Sequence, residues 1–172
     1  MRNHSPMYDP LTQNELNALT ASLSSKEFQH DIFRAFLFVC ATGLSWEDVY
    51  LLKWTQVDRE NSLLVHEYER INGHQTQCLS QFALNVLPKQ KSSKVFPDLH
   101  IQTIQDRYSK WGLFDLWIWG MKSNIKRRFC LETAGATFVA HMRAQLFDEH
   151  EIANMLNITE SDLRSIYPFF II

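Results

Sequence analysis

The chain has 172 residues, 45% of them hydrophobic, which suffices for one domain around a single buried core. Its net charge is −2 and its pI is near 6.4, so it lacks the general basic surplus that is typical of nucleic-acid-binding proteins. No apolar run approaches the roughly 18 residues of a membrane span, and the first residues lack a signal-peptide core. Three cysteines without metal-ligand spacing fit a reducing compartment. We therefore expect a cytoplasmic protein without a membrane partner, a metal or another cofactor.

The spacing of apolar residues predicts a mainly helical chain with a small antiparallel sheet, an α+β fold. Residues 1–10 contain two prolines and are expected to form a flexible lead-in, followed by one domain over residues 11–172. Thr12, with Glu15 three positions later, has the form of a capping box. A first helix should therefore begin here and run to about Leu23.

A second helix is predicted from the apolar residues that recur every three or four positions between Phe28 and Val39. Gly43 should end this helix, because glycine readily adopts the left-handed conformation of a helix C-terminus. Ser45 is suited to cap a third helix over residues 46–53. The segment around Gly43 is thus a connection between two helices.

The period then changes from helical to alternating. The Asn72-Gly73 pair, a strong hairpin-turn signal, separates apolar residues at 63–68 from a second strand at 76–79. Helical spacing returns afterwards, and a short buried plug is expected at Val95-Phe96-Pro97. The further predicted helices cover residues 81–87, 101–111, 132–146, 150–156 and 161–166.

The segment from Leu113 to Met121 is crowded with aromatic side chains, including Phe114, Trp117 and Trp119. Such side chains could form a platform on which bases stack. Helical spacing favours the plainer alternative, in which they belong to the core or to an interface.

Several short motifs in a fixed order resemble the catalytic domain of tyrosine recombinases, the phage-integrase family of DNA breaking and rejoining enzymes. The resemblance extends over residues 11–167 and implies that family's fold, a DNA partner and a role in mobile-element recombination. In chain order, the motifs are Leu11-Thr12-x-x-Glu15-Leu16, Thr42-Gly43-Leu44 with Asp48 and Leu52-Lys53-Trp54, the segment Phe129–Phe138, and Leu156-Asn157-Ile158 before Tyr167.

The resemblance also implies a set of catalytic positions. In the family, a tyrosine attacks a DNA phosphodiester, and cations and hydrogen-bond donors stabilise the charge on the phosphate oxygens. Tyr167 stands at the nucleophile position. The positions of the first arginine, the hairpin lysine, a histidine, the second arginine and the late histidine hold, respectively, Ser45, Asn72, Glu132, Gly135 and Ile158.

These replacements predict impaired catalysis. Loss of one such donor costs about 3–4 kcal/mol of transition-state stabilisation, and Glu132 adds a negative charge where the phosphate should bind. Tyr167 is then interpreted as retained more for packing than for reactivity. Rescue by a nearby arginine or histidine is the less favoured alternative; its candidates are Arg127, Arg128, Arg143, His141 and His150.

A local basic patch is predicted where four cations fall within seven positions: Lys122, Lys126, Arg127 and Arg128. It would bind DNA phosphates. The alternative interpretation is a solvated, charged helix end.

Two functional hypotheses remain open. The first is a recombinase-family domain that binds DNA weakly and is impaired in strand breakage and rejoining; the second is an inactive domain that modulates an active recombinase through protein contacts. The apolar tail, Phe169–Ile172, implies docking on another protomer or folding back onto its own core. The core-binding domain that precedes this fold in the family is expected to be absent.

Overall fold

The fold is mainly helical with one small sheet. In a computed structural model, the described residues are 9–68, 73–100 and 110–168, and the described side chains exclude those of residues 66–75 and 110–113. The α-helices are α1 (Gln13–Ser22), α2 (Asp31–Thr42), α3 (Trp46–Leu51), α4 (Gln81–Val86), α5 (Lys110–Lys122), α6 (Leu131–Ala144), α7 (Glu149–Met155) and α8 (Glu160–Ile166). The strands are β1 (Val57–Asp58), β2 (Leu63–Tyr68) and β3 (Gly73–Cys78). The predicted α+β class is confirmed.

The sheet is antiparallel with strand order β1-β2-β3. The predicted hairpin is confirmed, although Gly73 already belongs to β3, where it pairs with Tyr68. Asn72 lies outside the described residues. The sequence did not predict β1, because two residues are too few to show alternation.

Two predicted helix starts are confirmed by their caps, whereas the second helix, predicted from Phe28, begins only at Asp31. The Thr12 hydroxyl accepts from the Glu15 N–H while the Glu15 carboxylate accepts from the Thr12 N–H, and Ser45 Oγ accepts from the Asp48 N–H. Gly43 ends α2 in the left-handed region, at φ 71°. Helix α3 ends at Leu51, not at the predicted residue 53, because the chain turns away there to pair with a distant segment.

The aromatic segment lies in α5, and its central residue belongs to the core. Trp119 is fully buried, contacts the rings of Phe33, Phe36 and Phe129, and donates its Nε1–H to Ser22 Oγ at 2.6 Å. The core interpretation is therefore confirmed for Trp119. Of the helix predicted over 101–111, residues 101–109 lie outside the described residues.

Two hydrophobic clusters hold the domain together. The larger surrounds α2, which is buried along most of its length and packs against α4 and α6; the plug residues Val95 and Phe96 are also buried there, as predicted. The smaller cluster joins α6, α7 and α8, and consists of Phe138, Val139, Ile152, Ala153 and Leu163. Its packing determines where the end of α8 lies.

Arg127 connects the first described residues to the rest of the domain. Its guanidinium bonds both carboxylate oxygens of Glu15, at 3.0 and 3.1 Å, and donates to the carbonyls of Asp9 (2.8 Å) and Pro10 (2.7 Å). Burial acts to raise the pKa of Glu15, but the bonds from Arg127 and Thr12 outweigh it and hold that pKa below its ordinary value. Arg127 is thus a structural cation.

Replacing Arg127 by Ala is predicted to lower the free energy of unfolding by about 1–3 kcal/mol, because a half-buried carboxylate and two carbonyls lose their charged donor. Arg127→Lys should recover only part of this, since an ammonium cannot form the bidentate contact. Because folding lowers the pKa of Glu15, the contribution of Glu15 to the free energy of unfolding is present above the ordinary carboxyl pKa. It is lost as the pH falls through the pKa that Glu15 has in the folded state. The difference in free energy of unfolding between wild type and Arg127→Ala should therefore become smaller at acidic pH.

Urea unfolding at neutral and acidic pH measures both effects. Arg128→Ala is the matched control, because that exposed neighbour only lies over the Trp117 ring. Equal unfolding midpoints for wild type and Arg127→Ala at neutral pH would show that the contacts of Arg127 do not stabilise the fold.

Candidate active site around Tyr167

Tyr167 lies immediately after α8 and is partly buried. Its N–H donates to the Leu163 carbonyl at 2.9 Å, and its side chain packs against the smaller hydrophobic cluster. The ring is therefore directed back towards α6 by the last turn of α8.

The Tyr167 hydroxyl lies against the backbone of Gly135 in α6. A Cβ added at Gly135 would come closer than 3.0 Å to Tyr167 Oη and within 3.3 Å of Cζ. Real Cβ atoms essentially never approach a neighbour so closely, so the tyrosine occupies the space into which any side chain at position 135 would project. The two positions that the sequence places 32 residues apart (167 minus 135) are therefore in contact.

Glu132 lies in the first turn of α6, three residues before Gly135, and its charge acts on two neighbours. Burial raises the pKa of Tyr167, and the negative charge of Glu132 raises it further. Burial likewise raises the pKa of the Cys130 thiol to about 11, again with a contribution from Glu132. This end of the site therefore favours neutral groups and disfavours a phenolate.

The turn around Gly43 packs onto α6 and onto Leu156, the residue that follows α7. A Cβ at Gly43 would meet the Phe138 ring at 2.6 Å and the Leu156 side chain at 2.7 Å, so glycine is required by both space and conformation. Beside it, Trp46 Nε1 donates to the Leu131 carbonyl at 3.2 Å. The N-terminus of α3 is thereby attached to the residue that precedes Glu132.

Ser45, at the position of the family's first arginine, already uses its hydroxyl in capping α3. It accepts from the Asp48 N–H at 3.1 Å and donates to Asp48 Oδ2 at 2.7 Å. A short neutral side chain engaged in this way provides no charge that could grip a phosphate.

Ile158, at the position of the late histidine, is partly buried against the smaller cluster. It follows Asn157, which has a left-handed φ of 52°, a conformation that asparagine tolerates better than most residues. The hairpin-lysine position, Asn72, lies outside the described residues. Among the described residues of the hairpin, Gln77 Nε2 donates to the Thr42 carbonyl at 2.8 Å and attaches β3 to the turn.

The predicted basic patch is divided among several internal contacts. Lys122 forms an ion pair with Glu27, Arg127 holds Glu15, and the Arg128 guanidinium lies 5.4 Å from the centre of the Trp117 ring. Lys126 is exposed. The run of cations in the sequence therefore does not translate into four cations that are free to meet DNA.

The candidate rescue groups are placed as follows. His141 and His150 are exposed, and His150 Nδ1 lies 3.0 Å from Glu160 Oε1. Arg143 lies in the last turn of α6. Within the described ranges, no three His, Cys, Asp or Glu side chains form a group that could hold a metal ion, and no described helix is long and apolar enough to cross a membrane.

Sequence reasoning missed the contact between Tyr167 and Gly135. The one available signal was a glycine inside the helix predicted over 132–146, where it costs about 1 kcal/mol relative to alanine. Such a glycine indicates a close approach of some other group, but the pattern cannot say which one.

Comparison with solved structures identifies the fold. XerA recombinase superposes on 97% of this chain with a TM-score of 0.68 and 16% sequence identity. The catalytic domain of bacteriophage HP1 integrase superposes on 95% with a TM-score of 0.61 and 17% identity. The Tn1549 transposon integrase, in complex with circular intermediate DNA, superposes on 96% with a TM-score of 0.68 and 10% identity.

This chain spans 61% of the XerA chain, 88% of the HP1 integrase domain and 64% of the Tn1549 integrase chain. No protein-family model matches the sequence, and no curated protein matches it either. At these identities the similarity is one of architecture: the chain has the fold of the catalytic domains of tyrosine recombinases and integrases.

Proposed function

We propose that this chain is a DNA-binding domain of a mobile-element recombinase whose capacity for strand breakage and rejoining is impaired. The observation that carries the proposal is the contact of Tyr167 with Gly135 beside the carboxylate of Glu132. The proposal includes a cytoplasmic location, which three cysteines without disulfide or metal-ligand spacing fit.

The nucleophile is unsuited to attack for a physical reason. A phenol must lose its proton as it attacks phosphorus, and the surroundings of Tyr167 oppose this, through burial first and then through the charge of Glu132. Reacting atoms must also approach to about 3–3.5 Å in line. The Gly135 backbone occupies one side of the hydroxyl, so the ring would have to move before a phosphodiester could reach it.

The charge around the phosphate site supports the same conclusion. By resemblance, the cationic positions hold Ser45, Asn72, Glu132, Gly135 and Ile158, of which none carries a positive charge and one is an anion. A single lost donor costs about 3–4 kcal/mol, and such losses are not additive, yet two of them would still remove roughly 10⁴-fold in rate. Binding of DNA needs no such catalytic group, so binding can persist without cleavage.

A second candidate function is supported by exposed apolar side chains. Ile166, immediately before Tyr167, is 56% exposed, and Leu146, after α6, is 91% exposed. An inactive domain that modulates an active recombinase through protein contacts would use such side chains. The apolar tail belongs to this proposal but lies outside the described residues.

We expect that Tyr167 forms no covalent bond with DNA. Incubation with a nicked suicide duplex should yield no phosphotyrosyl adduct on denaturing gels, for either wild type or Tyr167→Phe. Gel-shift binding of the same duplex, measured in parallel, separates failure to react from failure to bind. An adduct that forms with wild type and disappears in Tyr167→Phe would contradict the proposed impairment.

We also expect that the Tyr167 phenol resists ionisation. The difference in phenolate absorbance between wild type and Tyr167→Phe should show Tyr167 ionising above the ordinary tyrosine pKa of about 10. Glu132→Gln should lower this pKa without restoring it, because burial is the larger cause.

The raised pKa of Tyr167 also makes the free energy of unfolding depend on pH. In alkali, the folded state retains the Tyr167 proton while the unfolded chain loses it. The contribution of Tyr167 to the free energy of unfolding is therefore full below a pH of about 10 and is lost as the pH rises through the folded pKa. Tyr167→Phe should remove this alkaline loss. Ionisation of Tyr167 below the ordinary value, as expected beside a cation, would count against the proposed impairment.

A further inference from the structure

Five cations from two segments far apart in the sequence occur together in the fold. We define the basic face as the side chains of Lys53, Arg59, Lys89, Lys91 and Lys94. The first two lie between α3 and β2, and the other three lie in the segment that follows α4. All are exposed except Lys94, which is partly buried.

Backbone hydrogen bonds hold the two segments side by side. Lys53 and Lys94 pair in an isolated antiparallel bridge, flanked by bonds from Trp54 N to Ser93 O (3.0 Å) and from Val95 N to Leu52 O (2.9 Å). The proximity of Lys53 and Lys94 is therefore imposed by the main chain, despite their mutual repulsion.

Two of the cations are further fixed by aromatic rings. The Lys94 ammonium lies 4.0 Å from the centre of the Tyr50 ring, and the Arg59 guanidinium lies 4.9 Å from that of Trp54. Arg59 also donates to the Pro88 carbonyl at 3.0 Å. These contacts restrict the side chains without neutralising them, so less entropy is lost when an anion binds.

No member of the basic face forms an ion pair with a carboxylate among the described residues. Lys91 acts on Asp31 only through charge, without an ion-pair contact. The described residues of the same two segments contain three carboxylates, Asp58, Glu60 and Asp98, and the Asp58 carboxylate accepts hydrogen bonds from Asn61. Positive charge is thus in excess here, in a chain whose net charge is −2.

The Lys122–Arg128 run presents the opposite arrangement. Two of its members are already paired with Glu27 and Glu15, so an incoming phosphate would have to compete with those carboxylates. A phosphate that meets the basic face displaces only counterions and water, which is the favourable source of protein–DNA affinity.

The basic face lies beyond the C-terminus of α3, at the opposite end of that helix from the cap residue Ser45. The six residues of α3 rise about 9 Å at roughly 1.5 Å per residue. Duplex DNA carries a negative charge about every 1.7 Å of its axis, so a duplex bound at the basic face presents several phosphates to its cations.

We propose that the basic face is the principal phosphate-binding surface of this domain and that its partner is the backbone of duplex DNA. The proposal rests on the proposed function, in that DNA is the ligand. Contacts to backbone phosphates carry no sequence information, so the contact proposed here is independent of base sequence.

The test uses the full chain and a short fluorescent DNA duplex, with binding followed by anisotropy across a salt series. The variant Lys53→Gln/Lys89→Gln/Lys91→Gln removes three exposed charges and spares Lys94 and Arg59, which contact rings and a carbonyl. The matched control, Lys26→Gln/Lys122→Gln/Lys126→Gln, changes the net charge equally at three other exposed lysines. It loses the exposed Lys122–Glu27 pair and the contact of the Lys122 ammonium with the Phe28 ring at 5.9 Å, and such exposed contacts contribute little to stability.

The basic-face variant should bind at least about tenfold more weakly at low salt, and its log–log salt slope should fall by roughly 0.9 for each phosphate that the variant no longer neutralises. The control should bind like wild type. Loss of binding in the control but not in the basic-face variant would overturn this inference and leave the proposed function standing. Absence of salt-dependent duplex binding by wild type would overturn both, and tighter binding of single-stranded RNA would reject duplex DNA as the partner.

Discussion

The packing of the Tyr167 hydroxyl against the bare backbone of Gly135 is the constraint on which the site depends. It fixes the end of α8 against the middle of α6, and it requires that position 135 have no side chain. Glycine inside a helix costs about 1 kcal/mol relative to alanine, so this contact has a local cost that the tertiary packing must offset. By resemblance, position 135 is where tyrosine recombinases have an arginine. The present placement of the tyrosine and an arginine at that position exclude each other.

Cations in this chain serve two different purposes, which their spacing in the sequence does not distinguish. The Arg127 guanidinium bonds the Glu15 carboxylate and two backbone carbonyls, and these contacts stabilise the fold. Lys53 and Lys94, far apart in the sequence, are brought together by main-chain bonds and remain without carboxylate partners among the described residues. An active site for phosphoryl transfer needs cations at the nucleophile, whereas binding needs them only along the DNA path. The proposed function relies on the second requirement alone.

Local chemistry made much of the fold predictable. The Thr12 capping box, the left-handed Gly43 and the Ser45 cap each depend on residues within a few positions, and each is confirmed. The two-residue strand β1, the early end of α3 and the role of Arg127 depend on partners 5 to 118 residues away, and no local pattern encodes them. The contact of Tyr167 with Gly135 belongs to the same class. Resemblance placed both residues at functional positions, but only the packing of α6, α7 and α8 shows that one occupies the space of the other.

The most direct test of the central claim is a double-mutant cycle between positions 135 and 167, measured by urea unfolding. Gly135→Ala should be less favourable in wild type than in Tyr167→Phe by about 1–3 kcal/mol, because overpacking against the hydroxyl is relieved when that oxygen is removed. In the Tyr167→Phe background, the added methyl should be neutral or stabilising by up to about 1 kcal/mol, as expected for alanine in place of glycine within a helix. Equal effects of Gly135→Ala in the two backgrounds would contradict the account, since the hydroxyl would then not occupy the space beside Gly135.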